Sequence, residues 1–272
     1  MKRIYTLLLL SLAAFAASAQ DLTILHLNDT HSHIDPERSG NYIGQGGVIE
    51  QAAFIDSVRV ADGKKNVLLL HAGDFGQGSS YFTELNGDLE IDVINAMQYD
   101  AVALGNHEFD NGMDELARRI RNLDVPVVCA NYDFTGSPLE GLVKPYVVVK
   151  KAGKRIGVIG ALTDVSTVVD RSVADKMKYL SPVEETNRYA DYLKNVKKCD
   201  LIICLSHLGY SHGEHTDCGI APLLRNVDII VGGHSHTKID EYTSIKDLDS
   251  KEVVIVQDGC WGLEIGQFSV TF

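Results

Sequence analysis

The sequence predicts an α/β fold containing mixed β-sheet, and three observations carry that prediction. Apolar, β-branched runs alternate along the chain with segments of helical period. Several of the runs are apolar at nearly every position, as in "LTILHL", "NVLLLHAG" and "CDLIICLS", which is the pattern of strands covered on both faces. The carboxyl-terminal part carries a hairpin and closely spaced strands, which adds antiparallel pairing to the parallel pattern. No internal repeat, low-complexity tract or Pro/Ser-rich linker divides the chain, so a single domain is expected.

The elements follow in order. β-Branched apolar runs predict strands at 22–28, 66–73, 99–105 and 125–131. The run 146–162 reads as two strands turning near Gly153. Further strands are expected at 199–207, 227–233, 253–259 and 266–272. Helical period predicts helices at 47–61, 89–98, 112–123 and 181–197, with a short one near 219–226. The helix at 181 opens "SPVEE", with Ser181 as N-cap, Pro182 at the first helical position and Glu184 placed to close a capping box.

The first residues, "MKRIYTLLLLSLAAFAASAQ", place Lys2 and Arg3 before an apolar stretch that ends in Ala17-Ser18-Ala19. That is the pattern of a secretory signal, too short and too weakly flanked for a membrane span. Removing 19 of the 272 residues would leave 253 and take the net charge from −12 to −14. Such acidity fits neither a nucleic-acid polymer nor an anionic membrane surface as partner. It suits a phosphate-handling site only where metal ions supply local positive charge. The five cysteines, Cys129, Cys199, Cys204, Cys218 and Cys260, include no C-x-x-C pair. Cys129 and Cys204 lie in apolar runs as core residues, and no essential disulfide framework is expected.

Five apolar runs finish alike. They end in Asn28-Asp29-Thr30-His31, in Asp74, in Asn106-His107-Glu108-Phe109-Asp110, in His207, and in His234-Ser235-His236. Ligands of open α/β sheets gather beyond the carboxyl ends of strands, so these endings are expected to converge on one crevice. Imidazoles, carboxylates and an amide, without thiolate, suit borderline divalent ions such as Zn, Mn, Fe or Co. Gly73, Gly105, Gly232 and Gly233 would let the backbone turn sharply beside the site.

The motifs "ILHLNDTHSH", "LHAGD", "GNHEFD", "SHLG" and "GGHSH", in this order, resemble the motif set of the calcineurin-like metallophosphoesterases. Within them the secreted 5′-nucleotidases are the most similar, over about Leu22 to Phe272. The resemblance implies two packed mixed sheets flanked by helices in four layers, and a site holding two divalent ions. It implies Asp29, His31 and His236 as ligands of one ion, Asn106, His207 and His234 as ligands of the second, and Asp74 as the bridge. His107 and Asp110 fall on the family's catalytic dyad. The implied reaction is in-line attack of a metal-activated hydroxide on a phosphate monoester, a 5′-nucleotide or related small ester. His107 would stabilise the phosphoryl group or leaving oxygen, oriented by Asp110. Two divalent ions less the charges of Asp29 and Asp74 leave room for a hydroxide and part of a phosphate dianion.

Other residues have plainer readings. His26 and His71, inside strands, read as satisfied core residues, His33 as near the site but not required, and Glu108 as solvated or structural. His212, His215 and Cys218 read as a polar loop over the pocket. Ser235, in "GHSHT", lacks the last glycine of a nucleophile elbow. Secreted 5′-nucleotidases usually carry a carboxyl-terminal recognition domain, which is expected to be absent here. The expectation is therefore an exported phosphohydrolase, periplasmic or extracellular, with no membrane anchor. The alternatives are a catalytic subunit that borrows recognition from a separately encoded domain, and a metal-loaded anion-binding protein.

Overall fold

In the computed structural model, residues 21–272 are described; the secretory-signal reading of 1–19 lies outside them. Thirteen strands form in this span, most of them from the apolar runs: β1 (Leu22–Leu27), β2 (Val67–His71), β3 (Ala101–Ala103), β4 (Val127–Val128), β5 (Tyr132–Asp133), β6 (Tyr146–Lys151), β7 (Lys154–Leu162), β8 (Lys178–Tyr179), β9 (Leu201–His207), β10 (Ile229–Val231), β11 (Thr243–Lys246), β12 (Glu252–Val256) and β13 (Gly266–Val270). The helices are α1 (Val48–Asp62), α2 (Ser80–Leu85), α3 (Asp88–Met97), α4 (Gly112–Arg121), α5 (Arg171–Ala174), α6 (Pro182–Asn195) and α7 (Asp217–Ile220).

One sheet has the order β13-β1-β2-β3-β4, the other β11-β12-β10-β9-β7-β6, and β5 pairs with β8 apart from both. Pairing is parallel from β1 through β4 and among β7, β9, β10 and β12, with β13, β11 and β6 added antiparallel at edges. Parallel neighbours need crossovers, and α1, α3, α4 and α6 supply them. The mixed pairing expected of the carboxyl-terminal half is therefore present at three edges.

Strand alternation sends successive side chains to opposite faces, and here both faces are dry. Leu22 and Ile24 of β1 join Leu68, Leu70, Ile203, Leu205 and Val231 in a core between the sheets. Leu25 and Leu27 of the same strand pack with Ile55 of α1 and Ile91 and Ile94 of α3. The far face of the second sheet buries Ile202, Cys204 and Ile230 against Ala190 and Leu193 of α6. The result is helices, sheet, sheet, helices: four layers.

Several expectations need correcting. The strands expected at 99–105 and 125–131 shrink to three and two residues, because their last residues leave the ladder to build turns. The sequence reading missed β5, β8, β11, α2 and α5, all short and without a sustained apolar period. The helix near 219–226 begins earlier, at Asp217, and continues as a 3-10 turn over Ala221–Leu223. Ser181 does cap α6, its hydroxyl accepting from Glu184 N at 3.3 Å. All five cysteines are free thiols, and four of them are buried.

Candidate metal centre

β1, β2 and β3 of one sheet and β9 and β10 of the other run parallel within their sheets, and their carboxyl ends meet at one end of the sandwich. There the residues expected to converge do so. Asp29, His31 and His236 form one cluster of donors, Asp74, His207 and His234 a second, and His31, Asp74 and His107 a third. Within each cluster the donor atoms lie inside 4.8 Å of one another. His31 Nε2 faces His236 Nε2 at 2.9 Å, and His236 Nε2 lies 3.3 Å from Asp29 Oδ1. His207 Nε2 sits 3.0 Å from Asp74 Oδ2, in a geometry that makes no hydrogen bond.

The backbone pays a conformational cost for this arrangement. Asp29, His31, Asp74, His234 and His236 all have φ between 46° and 75°, a region non-glycine residues seldom occupy. Such outliers persist where surrounding structure over-determines them, and they gather at functional sites. Here cross-strand bonds supply the constraint: Asp29 N donates to Gly73 O at 2.9 Å and His31 N to Asp74 O at 3.0 Å. His234 N donates to the Asp29 carboxylate at 2.9 Å, and His107 N to Asp74 Oδ1 at 2.8 Å.

The glycines act differently from expectation. Of the four beside the site, Gly73 alone has positive φ, at 92°; Gly105, Gly232 and Gly233 do not. Close approach explains Gly105, where a Cβ would lie 2.2 Å from Asp74 Oδ1.

Burial and charge are in tension at this spot. Asp29 and Asp74 are 0% and 2% exposed, so burial pushes both carboxyls up. Contact with His207 and its neighbours outweighs that, leaving both below the ordinary range. Burial pushes His207 down, but Asp74 and Asp29 overcome it and raise the imidazole to about 10. Two buried carboxylates thus demand cations, and ring protons partly meet the demand.

The donor set also fits divalent ions by its orphans. Asn106 Oδ1 and His31 Nδ1 are buried without a hydrogen-bond partner among the described residues, an expensive state for a polar atom that nothing claims. His207 Nδ1 donates to the carbonyl of Ala72 at 2.7 Å, which fixes the ring so that Nε2 faces Asp74, the nitrogen a bound ion would take in place of its proton.

His107 and Asp110 lie at the open side of the site. Their Nδ1···Oδ2 separation is 2.8 Å, and both side chains are about one-third exposed. The hydrogen bond to Asp110 is the main cause that holds the His107 imidazole above its ordinary value.

Glu108 is not solvated. It is fully buried, and its two oxygens accept the amides of Asp74, Phe75, Gly76 and Gly105 at 2.6–3.1 Å. This carboxylate ties the turn after β2 to the turn after β3. Its place directly after His107 was visible in the sequence, but three of its partners lie more than thirty residues back. This is the structural alternative expected for Glu108; Arg119 is a residue the sequence reading missed: 1% exposed, it donates to Glu108 O at 2.7 Å.

The remaining histidines divide. His71 is a satisfied core residue, bonded to Thr30 Oγ1 and to Gly73 N. His26 is also buried, but its Nδ1 has no hydrogen-bond partner among the described residues, so within them it is not satisfied. His33 stacks on Trp261, ring centroids 5.0 Å apart, while Trp261 N donates to Asp29 O at 2.7 Å. Nothing in the local sequence marks Trp261 as a neighbour of Asp29. Cys218 is buried in the core and His215 lies beside Tyr179, so the 212–218 loop does not gather its donors. Ser235 accepts from Tyr210 N and donates to Gln257, bracing the loop that carries His234 and His236.

Residues 22–238 match the calcineurin-like phosphoesterase family. The chain is 33% identical to the snake venom 5′-nucleotidase of Naja atra, over 93% of this chain and 50% of that protein. It is 34% identical to the 5′-nucleotidase of Homo sapiens, over 97% of this chain and 49% of that protein. The solved structure of the 5′-nucleotidase precursor from Thermus thermophilus superposes with a TM-score of 0.84 at 36% identity, covering 93% of this chain and 51% of that one. The chain spans about half the length of these relatives. Fold, motif order and the converging strand ends agree: this chain belongs to the calcineurin-like phosphoesterase family.

Proposed function

We propose that the chain is a metal-dependent phosphohydrolase that cleaves phosphate monoesters, 5′-nucleotides or related small esters. The observation that carries the reading is the cluster of Asp29, His31, Asp74, His207, His234 and His236, within which every local donor group spans less than 4.8 Å. Asp29, His31 and His236 would hold one divalent ion, and Asn106, His207 and His234 the other, with Asp74 between them. When bound, two such ions supply Lewis acidity toward phosphoryl oxygens and lower the pKa of water.

The chain's own residues do the rest. Asp74 is held by His107 N, so the amide that follows Asn106 sets the carboxylate's angle. His107, tethered by Asp110 and exposed to the cleft, donates from Nε2 toward a phosphoryl or leaving-group oxygen. Asp110 accepts from Nδ1, fixing which ring nitrogen faces substrate. A site that only bound anions would have no need of this oriented donor, which disfavours the binding-protein reading.

Export is supported by the basic, apolar and small-residue order of the first 19 residues and by a relative named for venom. Among the described residues no helix is long and apolar enough to cross a membrane. A separate polypeptide supplying substrate recognition is compatible with relatives twice as long.

The test is hydrolysis of AMP, a cyclic nucleotide, a UDP-sugar and p-nitrophenyl phosphate by the purified chain, with and without chelator. Chelator-sensitive phosphate release is expected, with kcat reduced at least about 100-fold in His107→Ala. Turnover unaffected by chelator, or by His107→Ala, would refute the proposal.

A further inference from the structure

β12 also ends at the candidate metal centre. It pairs in parallel with β10, Val256 opposite Val231, and Gly232 N donates to Val256 O at 2.8 Å. Gln257, the next residue, therefore lies alongside the loop that carries His234 and His236. Its side chain is buried, and its oxygen takes two bonds from that loop. Thr237 N donates to Gln257 Oε1 at 2.7 Å, and Ser235 Oγ donates to it at 2.9 Å. A backbone amide can only donate, so the oxygen of the side-chain amide is the atom that faces the loop. Ile239 N adds a third bond, to Gln257 O at 3.0 Å.

The two histidines of this loop fall in different donor clusters, His236 with Asp29 and His31, His234 with Asp74 and His207. They are also held differently. On the His234 side the chain is wedged between the sheets, for a Cβ on Gly233 would lie 2.9 Å from both Ala72 O and His207 Nδ1. His234 N is tied in addition to the Asp29 carboxylate at 2.9 Å. Gln257 takes part in neither hold. His236 lies beyond that clamp, its side chain 39% exposed where that of His207 is 0% exposed. Its φ of 52° is a conformation that neighbouring contacts must maintain. The residues on either side of it, Ser235 and Thr237, are the two that bond Gln257 Oε1. One buried oxygen thus brackets the exposed imidazole.

We propose that Gln257 is a positioning residue for the first ion alone: its side-chain oxygen keeps His236 aimed at the site shared with Asp29 and His31, while the ligands of the second ion hold their places without it. This role rests on the two-ion assignment of the proposed phosphohydrolase, but not on turnover. Residues that orient a metal ligand govern the affinity of the ion which that ligand holds. A side chain that served only the fold would weaken both ions together or neither. An oxygen acting through His236 weakens one.

The test is calorimetric titration of the metal-stripped full chain with Zn²⁺, with a competing chelator to resolve the two ions. Gln257→Met keeps the length of the side chain and removes the acceptor. In this variant one ion is expected to bind at least about tenfold more weakly, and the other to change less than about twofold. In a His236→Ala background, where only the second ion is fully held, adding Gln257→Met is expected to leave the affinity of that ion unchanged. Ser235→Ala removes one of the two bonds to Oε1, and is expected to weaken the same ion about threefold. Ser235 is exposed, so this second variant decides the matter if Gln257→Met does not fold. Equal weakening of both ions, or no change in either, overturns the proposal, as does a loss of affinity in the His236→Ala background. If the unmodified chain binds fewer than two ions, the assignment falls and the role of Gln257 with it. Two tightly bound ions without phosphate release would sink the phosphohydrolase reading and leave that role standing.

Discussion

Glu108 shows what one side chain can hold together. Its two oxygens take up four backbone amides from two separate turns, and both turns carry residues of the candidate metal centre. Glu108→Gln keeps the shape but turns one acceptor oxygen into a donor, stranding two buried amides. The expected cost is about 2–4 kcal/mol in urea denaturation, with a parallel loss of bound metal measured by elemental analysis. Asp217 offers a contrast. Burial raises its carboxyl from 3.8 to about 7, and Ser206 Oγ donates to it at 2.5 Å. Because the folded form holds this proton more tightly than the unfolded chain, the group favours folding below about pH 4. That contribution is lost as pH rises through about 7. Asp217→Asn is therefore expected to raise the urea midpoint at about pH 8, and the gain should vanish near pH ~4.

At the scale of elements, the site is made by how strands stop. β2 and β3 end within contact of each other, and the turn after β2 brings Asp74 against Gly105. Gly105→Ala would put a methyl group 2.2 Å from Asp74 Oδ1, so the two turns would have to separate. The expectation is a folded protein, with unchanged far-ultraviolet circular dichroism, that loses at least half of its bound metal. The same logic explains why the long, fully apolar strands were legible in the sequence and the short ones were not. β1, β7 and β9 are buried on nearly every position and announce themselves by composition. β5, β8 and α5 have two to four residues each and exist because tertiary contacts hold them.

For the whole molecule, the candidate metal centre is also a seam. Asp29 and Asp74 from one sheet meet His207 and His234 from the other, so ions bound there would bridge the two sheets. Stripping them leaves two buried carboxylates near one another and removes ligand-linked stability, worth about 2.7 kcal/mol at a hundredfold excess over Kd. A chelator is thus expected to lower Tm by about 5–10 °C, and re-added divalent metal to restore it, as read by scanning calorimetry.

The sequence by itself determined the α/β class, the main strands and helices, and the set of donors at five strand ends. Those follow from local periodicity and from residue chemistry, which are written in neighbouring positions. Tertiary structure alone decided that Glu108 is buried, that Ser235 braces the loop carrying His234 and His236, and that Trp261 lies against His33. Each of these depends on which distant backbone atoms come within hydrogen-bond or van der Waals reach. Glu108 and Asp74 are 34 positions apart, and Trp261 and Asp29 more than two hundred. Such proximities are set by the packing of the two sheets, and no local pattern encodes them.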